Sequence, residues 1–167
     1  MRDKINMRSM ALKINISKND QASLNHLLIE SGYKPQNRKF HCTLGFIDKM
    51  IPEEKLTSFG DIMVRKMQKE ISRIKLLYEV DATQFLFGHI IAFTPSTSTA
   101  GILNELHRWL SGRVAELSEN KWTIDEKYVP HMTLWRTCHL DSRFEKLKLF
   151  SAKHPIYHLT EAAFVLL

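Results

Sequence analysis

The chain predicts an α+β fold of two pseudo-symmetric lobes, each an antiparallel sheet with helices packed outside, around a central cleft. Three observations carry that expectation. The phrase His-x-Thr-Leu occurs twice, as HCTL at 41–44 and HMTL at 131–134, once in each half of a 167-residue chain. The order strand, helix, motif strand, helix runs through the first half and returns in the second. Two strand-like segments at 74–80 and 88–95 lie close enough to form a hairpin, which argues against a purely parallel, doubly wound sheet. The halves read as diverged copies of one plan, with little identity outside the two phrases.

The elements follow from local pattern. In SMALKINI (9–16), Met10, Leu12, Ile14 and Ile16 alternate with polar or small neighbours, the period of a half-buried strand. SKNDQASLNHLLIESG (17–32) opens on polar capping residues, closes on Gly32 and carries Leu24, Leu27, Leu28 and Ile29 at helical spacing. KFHCTLGFI (39–47) is aromatic and apolar enough for a strand. The segment 52–72 begins with Pro52, Glu53 and Glu54, as a helix start prefers, and aligns Leu56, Phe59, Met63, Met67 and Ile71 on one face. The hairpin follows. The helix expected over 96–117 starts in serines and threonines and turns Leu103, Leu106, Leu110 and Val114 inward. YVPHMTLWRT (128–137) is strand-like and entered through Pro130, and a short helix at 141–150 and a strand in 157–167 close the chain.

Composition bounds the class. Hydrophobic residues at 44% and charged residues at 25% are ordinary globular values, and no linker-like tract divides the chain, so residues 1–167 are read as a single domain. The N-terminal MRDKINMRSM is charged and lacks the apolar run of a signal peptide. No apolar stretch approaches the roughly 20 residues that span a bilayer. A soluble, cytoplasmic monomer without membrane partners is therefore expected. Cys42 and Cys138 make neither a CxxC pair nor a disulfide framework and read as free thiols. The net charge of +6 favours an anionic partner, nucleotide or RNA. Two runs of basic residues, Arg65/Lys66/Lys69/Arg73/Lys75 and Arg143/Lys146/Lys148/Lys153, fit solvated helix faces. Arg38 and Lys39, just before the first phrase, are better placed to meet an anion.

Side chains alternate across a strand, so His41 and Thr43 share one face while Cys42 and Leu44 share the other; His131 and Thr133 are set likewise against Met132 and Leu134. A lone histidine on an apolar strand is usually a structural residue. Two chance copies of the phrase, however, would arise in roughly one such chain in several hundred. If the halves pack about an approximate two-fold axis, two imidazoles and two hydroxyls converge, a set able to break a phosphodiester. One neutral imidazole takes a proton from water or a ribose hydroxyl, and the other, protonated, gives one to the departing oxygen. The threonine hydroxyls hydrogen-bond the non-bridging oxygens as charge builds there. Such chemistry requires no metal and no cofactor.

HCTLGFI and PHMTLWR resemble the paired H-x-[ST]-hydrophobic motifs of the 2H (two-histidine) phosphoesterase superfamily, which includes the RNA 2′,3′-cyclic phosphodiesterases once called 2′-5′ RNA ligases. The resemblance covers essentially the whole chain in length, motif placement and element order. It implies two α+β lobes around a cleft, catalytic His41 and His131, and hydroxyl partners Thr43 and Thr133. It also implies a phosphate contact from Arg136, although strict alternation turns that residue away from His131 unless a bulge or strand end intervenes. Relatives carry a small residue two places after the second threonine, a position expected to face the cleft. Here it is Trp135, against Gly45 in the first motif. The indole either stacks on a base as a substrate-binding residue or packs between the lobes. Tyr33, Phe40 and Tyr128 read as packing residues.

The resemblance thus implies a metal-independent phosphodiesterase acting on RNA or oligonucleotide ends. Opening of 2′,3′-cyclic phosphates leads, and cleavage of 2′-5′ oligoadenylates is the alternative. A catalytically inactive RNA- or nucleotide-binding module is the competing reading from another class. A metal enzyme finds no support in an HExxH or a Cys/His cluster, and ATP-dependent ligation finds none in a GxxxxGK[ST] loop or a Lys-x-Asp-Gly motif. The near-symmetry of the two phrases leaves open which histidine is acid and which is base.

Overall fold

A computed structural model describes residues 5–167; the first four residues of the charged N-terminal segment lie outside the described residues. The elements follow in the order β1 (Met7–Ile16), α1 (Lys18–Glu30), β2 (His41–Pro52), α2 (Glu53–Ile74), β3 (Leu77–Leu86), β4 (Ile90–Pro95), α3 (Thr97–Leu117), β5 (Met132–Arg136), α4 (Ser142–Ser151) and β6 (Ile156–Leu166). This is βαβαβ written twice. All strand pairs are antiparallel, and the two copies exchange their last strands: β3 crosses to pair with β4, and β6 returns to pair with β1. Each lobe is therefore a three-stranded sheet, β6–β1–β2 or β3–β4–β5. The two sheets also bond to each other, through the single pair Cys42↔Met132 on one side and through Leu77↔His158, Tyr78↔Tyr157 and Glu79↔Ile156 on the other. The strands thus close a six-stranded ring, β1-β2-β5-β4-β3-β6, rather than leaving two separate sheets.

The helices sit where capping and periodicity put them. Ser17 and Ser96 cap α1 and α3 by accepting from the amides of Asp20 and Thr99, each at 3.2 Å. Helix α2 has no side-chain cap but begins with Glu53 and Glu54 and stops at Lys75, whose φ of 48° is left-handed. That stop delays β3 to Leu77. The faces expected to be apolar are buried in α2 (Leu56, Phe59, Met63, Met67, Ile71) and in α3 (Leu103, Leu106, Leu110, Val114). Gly60 adds a close approach: a Cβ there would sit 2.7 Å from the Phe164 ring and 2.8 Å from Met10 Cε. Its absence lets α2 press onto β1 and β6. On β1, Met10, Leu12 and Ile14 are wholly buried, and Gly60 reaches Met10 from α2. The alternate residues Ala11, Lys13 and Asn15 take the opposite face, toward the cleft. Among the described residues no helix is long and apolar enough to cross a membrane. Cys42 is buried and Cys138 exposed, both as free thiols.

Candidate active site

The repeated phrase does more than place a histidine and a threonine. On β1, Lys13 pairs with Thr43 and Leu12 with Gly45, so Leu44 is an extra residue on β2. On β4, Ala92 pairs with Thr133 and Ile91 with Trp135, so Leu134 is extra on β5. The leucine of each His-x-Thr-Leu is thus a β-bulge, and beyond it the alternation slips by one. Thr43 and Phe46 therefore share the cleft face of β2, paired with Lys13 and Ala11, and Thr133 and Arg136 share that of β5, paired with Ala92 and Ile90.

The bulge corrects one expectation and supplies the condition on which another depended. Trp135, expected to face the cleft, lies on the other side of the strand. Its ring sits 5.2 Å from that of Tyr33, over which the Arg143 guanidinium lies at 4.4 Å. Trp135 so contacts the loop after α1, whose Tyr33 in turn meets the start of α4. Trp135→Ala should lower stability by about 2 kcal/mol in urea titrations while leaving KM near the wild-type value. Arg136, by contrast, reaches the cleft face without a strand end being needed.

A cavity of about 550 Å³ is lined by His41, Thr43, His131, Thr133 and Arg136 together. A second one, of about 650 Å³, lies between the end of α2 and α3 and contains none of them. The two histidines are held identically. His41 Nδ1 lies 3.0 Å from the carbonyl of Lys39 and His131 Nδ1 lies 2.7 Å from that of Val129, each two residues upstream. A carbonyl can only accept, so Nδ1–H donates in both and the neutral ring keeps its lone pair on Nε2. Among the described residues neither Thr43 nor Thr133 spends its hydroxyl on a protein partner, and both side chains are half-buried.

The bulge at Leu44 takes its carbonyl out of the strand ladder, and His107 on α3 fills the gap with an Nδ1 contact of 2.5 Å. His107 is buried and stacks on Tyr128 at 4.3 Å, and Tyr128 OH lies 3.7 Å from Cys42 Sγ. These three brace the motif strand, and His107 and Tyr128 also line the cavity. Burial pushes the Cys42 thiol up to about 11, which makes it an inert core residue.

Burial sets the electrostatics of His41. Burial lowers the pKa of His41 to about 4, opposed by the bond to the Lys39 carbonyl and reinforced by the charges of Lys13, Arg38 and His131. Lys13, on the neighbouring strand, is itself lowered by burial and by Arg38 and Lys39, with Glu161 acting the other way. Glu161 accepts from Lys39 and Asn15 at 2.9 and 2.8 Å. Arg38 and Lys39 line the cavity as expected, whereas the exposed basic residues of α2 and α4 do not. Sequence reasoning passed over Lys13, Phe46, Phe87 and His89. Of these only Lys13 carried a signal, the one charge within the alternating segment SMALKINI. Tyr33 and Phe40 are both buried, and Phe40 also lines the cavity. Among the described residues no group of three His, Cys, Asp or Glu side chains gathers around a point that could hold a metal ion.

An imidazole fixed neutral, a second imidazole across the cavity, two free hydroxyls and a guanidinium can bind a phosphate diester and move one proton on and one off. Comparison with known proteins finds no matching family model and no matching curated protein. Among solved structures the chain is similar to the MHV ns2 PDE domain, at 15% identity and a TM-score of 0.56, covering 96% of this chain and 97% of that one. It is also similar to E. coli LigT complexed with NADP+, at 17% identity and a TM-score of 0.45, over 96% of this chain and 86% of that one. At 15% identity the first likeness is one of fold.

Proposed function

We propose that the protein is a metal-independent phosphodiesterase of the 2H type acting on RNA or oligonucleotide ends, with the 2′,3′-cyclic phosphate as its leading substrate. One observation supports this above the rest: two histidines, each with Nδ1 tied to the carbonyl two residues upstream, line one cavity together with Thr43, Thr133 and Arg136. Every group comes from one chain, so the chemistry needs no second subunit.

His41 is the base in this reading. With its pKa held near 4 it is neutral across the physiological range and can take a proton at Nε2. Water attacks phosphorus as His41 removes its proton. The bond from phosphorus to one ribose oxygen breaks, and protonated His131 gives that oxygen its proton. The Thr43 and Thr133 hydroxyls donate to the non-bridging oxygens and Arg136 balances their charge. A 2′-5′ linkage is the runner-up, because the same groups serve when a nucleoside rather than a ring oxygen departs.

The test is turnover, in EDTA, of a short RNA ending in a 2′,3′-cyclic phosphate beside a 2′-5′ adenylate trimer. Opening of the cyclic end is expected. Cleavage of the trimer alone would move the assignment to the runner-up, and turnover of neither would leave a nucleotide-binding module. A pH profile checks the role of His41. A base works only above its pKa, so kcat/KM should hold from pH 6.5 down to pH 5 and fall only as pH drops through about 4. An acid limb higher up instead, with activity already lost as pH falls through the ordinary histidine value of about 6.5, would remove His41 from the role of base.

A further inference from the structure

The hairpin joining β3 to β4 turns through Leu86–His89, with the His89 amide bonded to the Leu86 carbonyl at 3.2 Å. Its two central residues, Phe87 and Gly88, have φ of 55° and 75°. That is the sign pattern of a type I′ turn, whose first central position suits asparagine, aspartate or glycine. An aromatic side chain there is strained, and local strain persists where something else is gained from it. Burial is not the gain, since Phe87 is 60% exposed. The ring instead lines the cavity and lies edge-to-face with His131, centroids 5.6 Å apart. The Phe87 carbonyl is fixed by His89 Nδ1 at 2.9 Å, so the turn that presents the ring is held in place.

We propose that Phe87 is a nucleobase platform: the base of the nucleoside bound on the His131 side of the phosphate stacks on its exposed ring. The inference rests on the phosphodiesterase reading and makes Phe87 a specificity residue for it. Stacking on an aromatic face tolerates every base, so the platform selects for a nucleoside over a bare sugar phosphate rather than for one sequence. It also gives the substrate a direction. The departing ribose oxygen lies beside His131, and water enters beside His41.

The test compares adenosine 2′,3′-cyclic phosphate with methyl β-ribofuranoside 2,3-cyclic phosphate, which keeps the reacting ring and lacks the base. In Phe87→Asn the ratio of kcat/KM for the two should fall roughly ten-fold, while Phe87→Tyr keeps it. Because asparagine suits the turn, the Tm of Phe87→Asn should rise by roughly 2–4 °C. An unchanged ratio overturns the proposal, and so does a fall in Tm, which would mark the ring as packing. If the wild type turns over neither compound, the phosphodiesterase reading fails for cyclic phosphates and the platform is judged separately, by calorimetric binding of adenosine 2′-monophosphate. Tighter binding to wild type than to Phe87→Asn supports it; equal binding, or none, overturns it.

Discussion

His41→Ala and His131→Ala should each fold and each lose at least ~10²-fold in kcat on the preferred diester, since each removes one proton transfer from the transition state. The two losses should not multiply in the double variant. Once one transfer is gone the other has little left to act on, and residues that work as a unit are strongly non-additive. Folding should survive because both side chains are half-buried at the cleft and each makes a single hydrogen bond, to a carbonyl that can turn to water. Circular dichroism and a urea midpoint would check the fold, and single-turnover rates the chemistry. Near-wild-type rates in either variant would sink the two-histidine mechanism.

Thr43→Val and Thr133→Val should come next in size, each costing on the order of 10²-fold in kcat with little change in KM. Valine keeps the shape and the strand preference of threonine and removes only the hydroxyl, so the loss reads out a hydrogen bond to charge that develops in the transition state. A rise in KM at constant kcat would instead mean that the hydroxyls grip the ground state. Thr83 shows the other use of the same side chain. It is buried, with its hydroxyl 3.0 Å from the Leu147 carbonyl and 2.8 Å from the Ser151 hydroxyl, a packing role inside the protein. Thr43 and Thr133, by contrast, carry no such bonds among the described residues.

Arg136 and Trp135 show where reading along the chain stops being sufficient. Alternation from Thr133 assigns Trp135 to the cleft and Arg136 to the far face, and the structure reverses both. The cause is Leu134, which has no opposite number on β4. A bulge belongs to a pair of strands, and the partner that exposes it is some 40 residues away in sequence. In the first motif the same slip at Leu44 brings Phe46 to the cleft face, where alternation would have kept Gly45. The exchange of β3 and β6 between the repeats is equally invisible along the chain, because both segments look like ordinary strands whichever sheet receives them.

What the sequence by itself determined is everything governed by neighbours a few residues apart. The helical stripe of α2, the serine caps of α1 and α3 and the shared face of His41 with Thr43 follow from fixed periods of 3.6 and 2 residues and from local hydrogen bonding. The repeated phrase pointed to the chemistry for the same reason, since residues two apart on a strand share a face wherever the strand lies. Tertiary structure alone decided the rest. It set the strand register that turns Arg136 in and Trp135 out, and the closure that brings both motifs to one cavity. It also gathered Arg38, Phe87 and His89 from separate segments, set the Lys13 charge near His41, and buried His41 so that its pKa falls to about 4 while nothing in its own motif would have lowered it. Register, convergence and electrostatic environment are properties of contacts between residues far apart in the chain, and only folding makes those contacts.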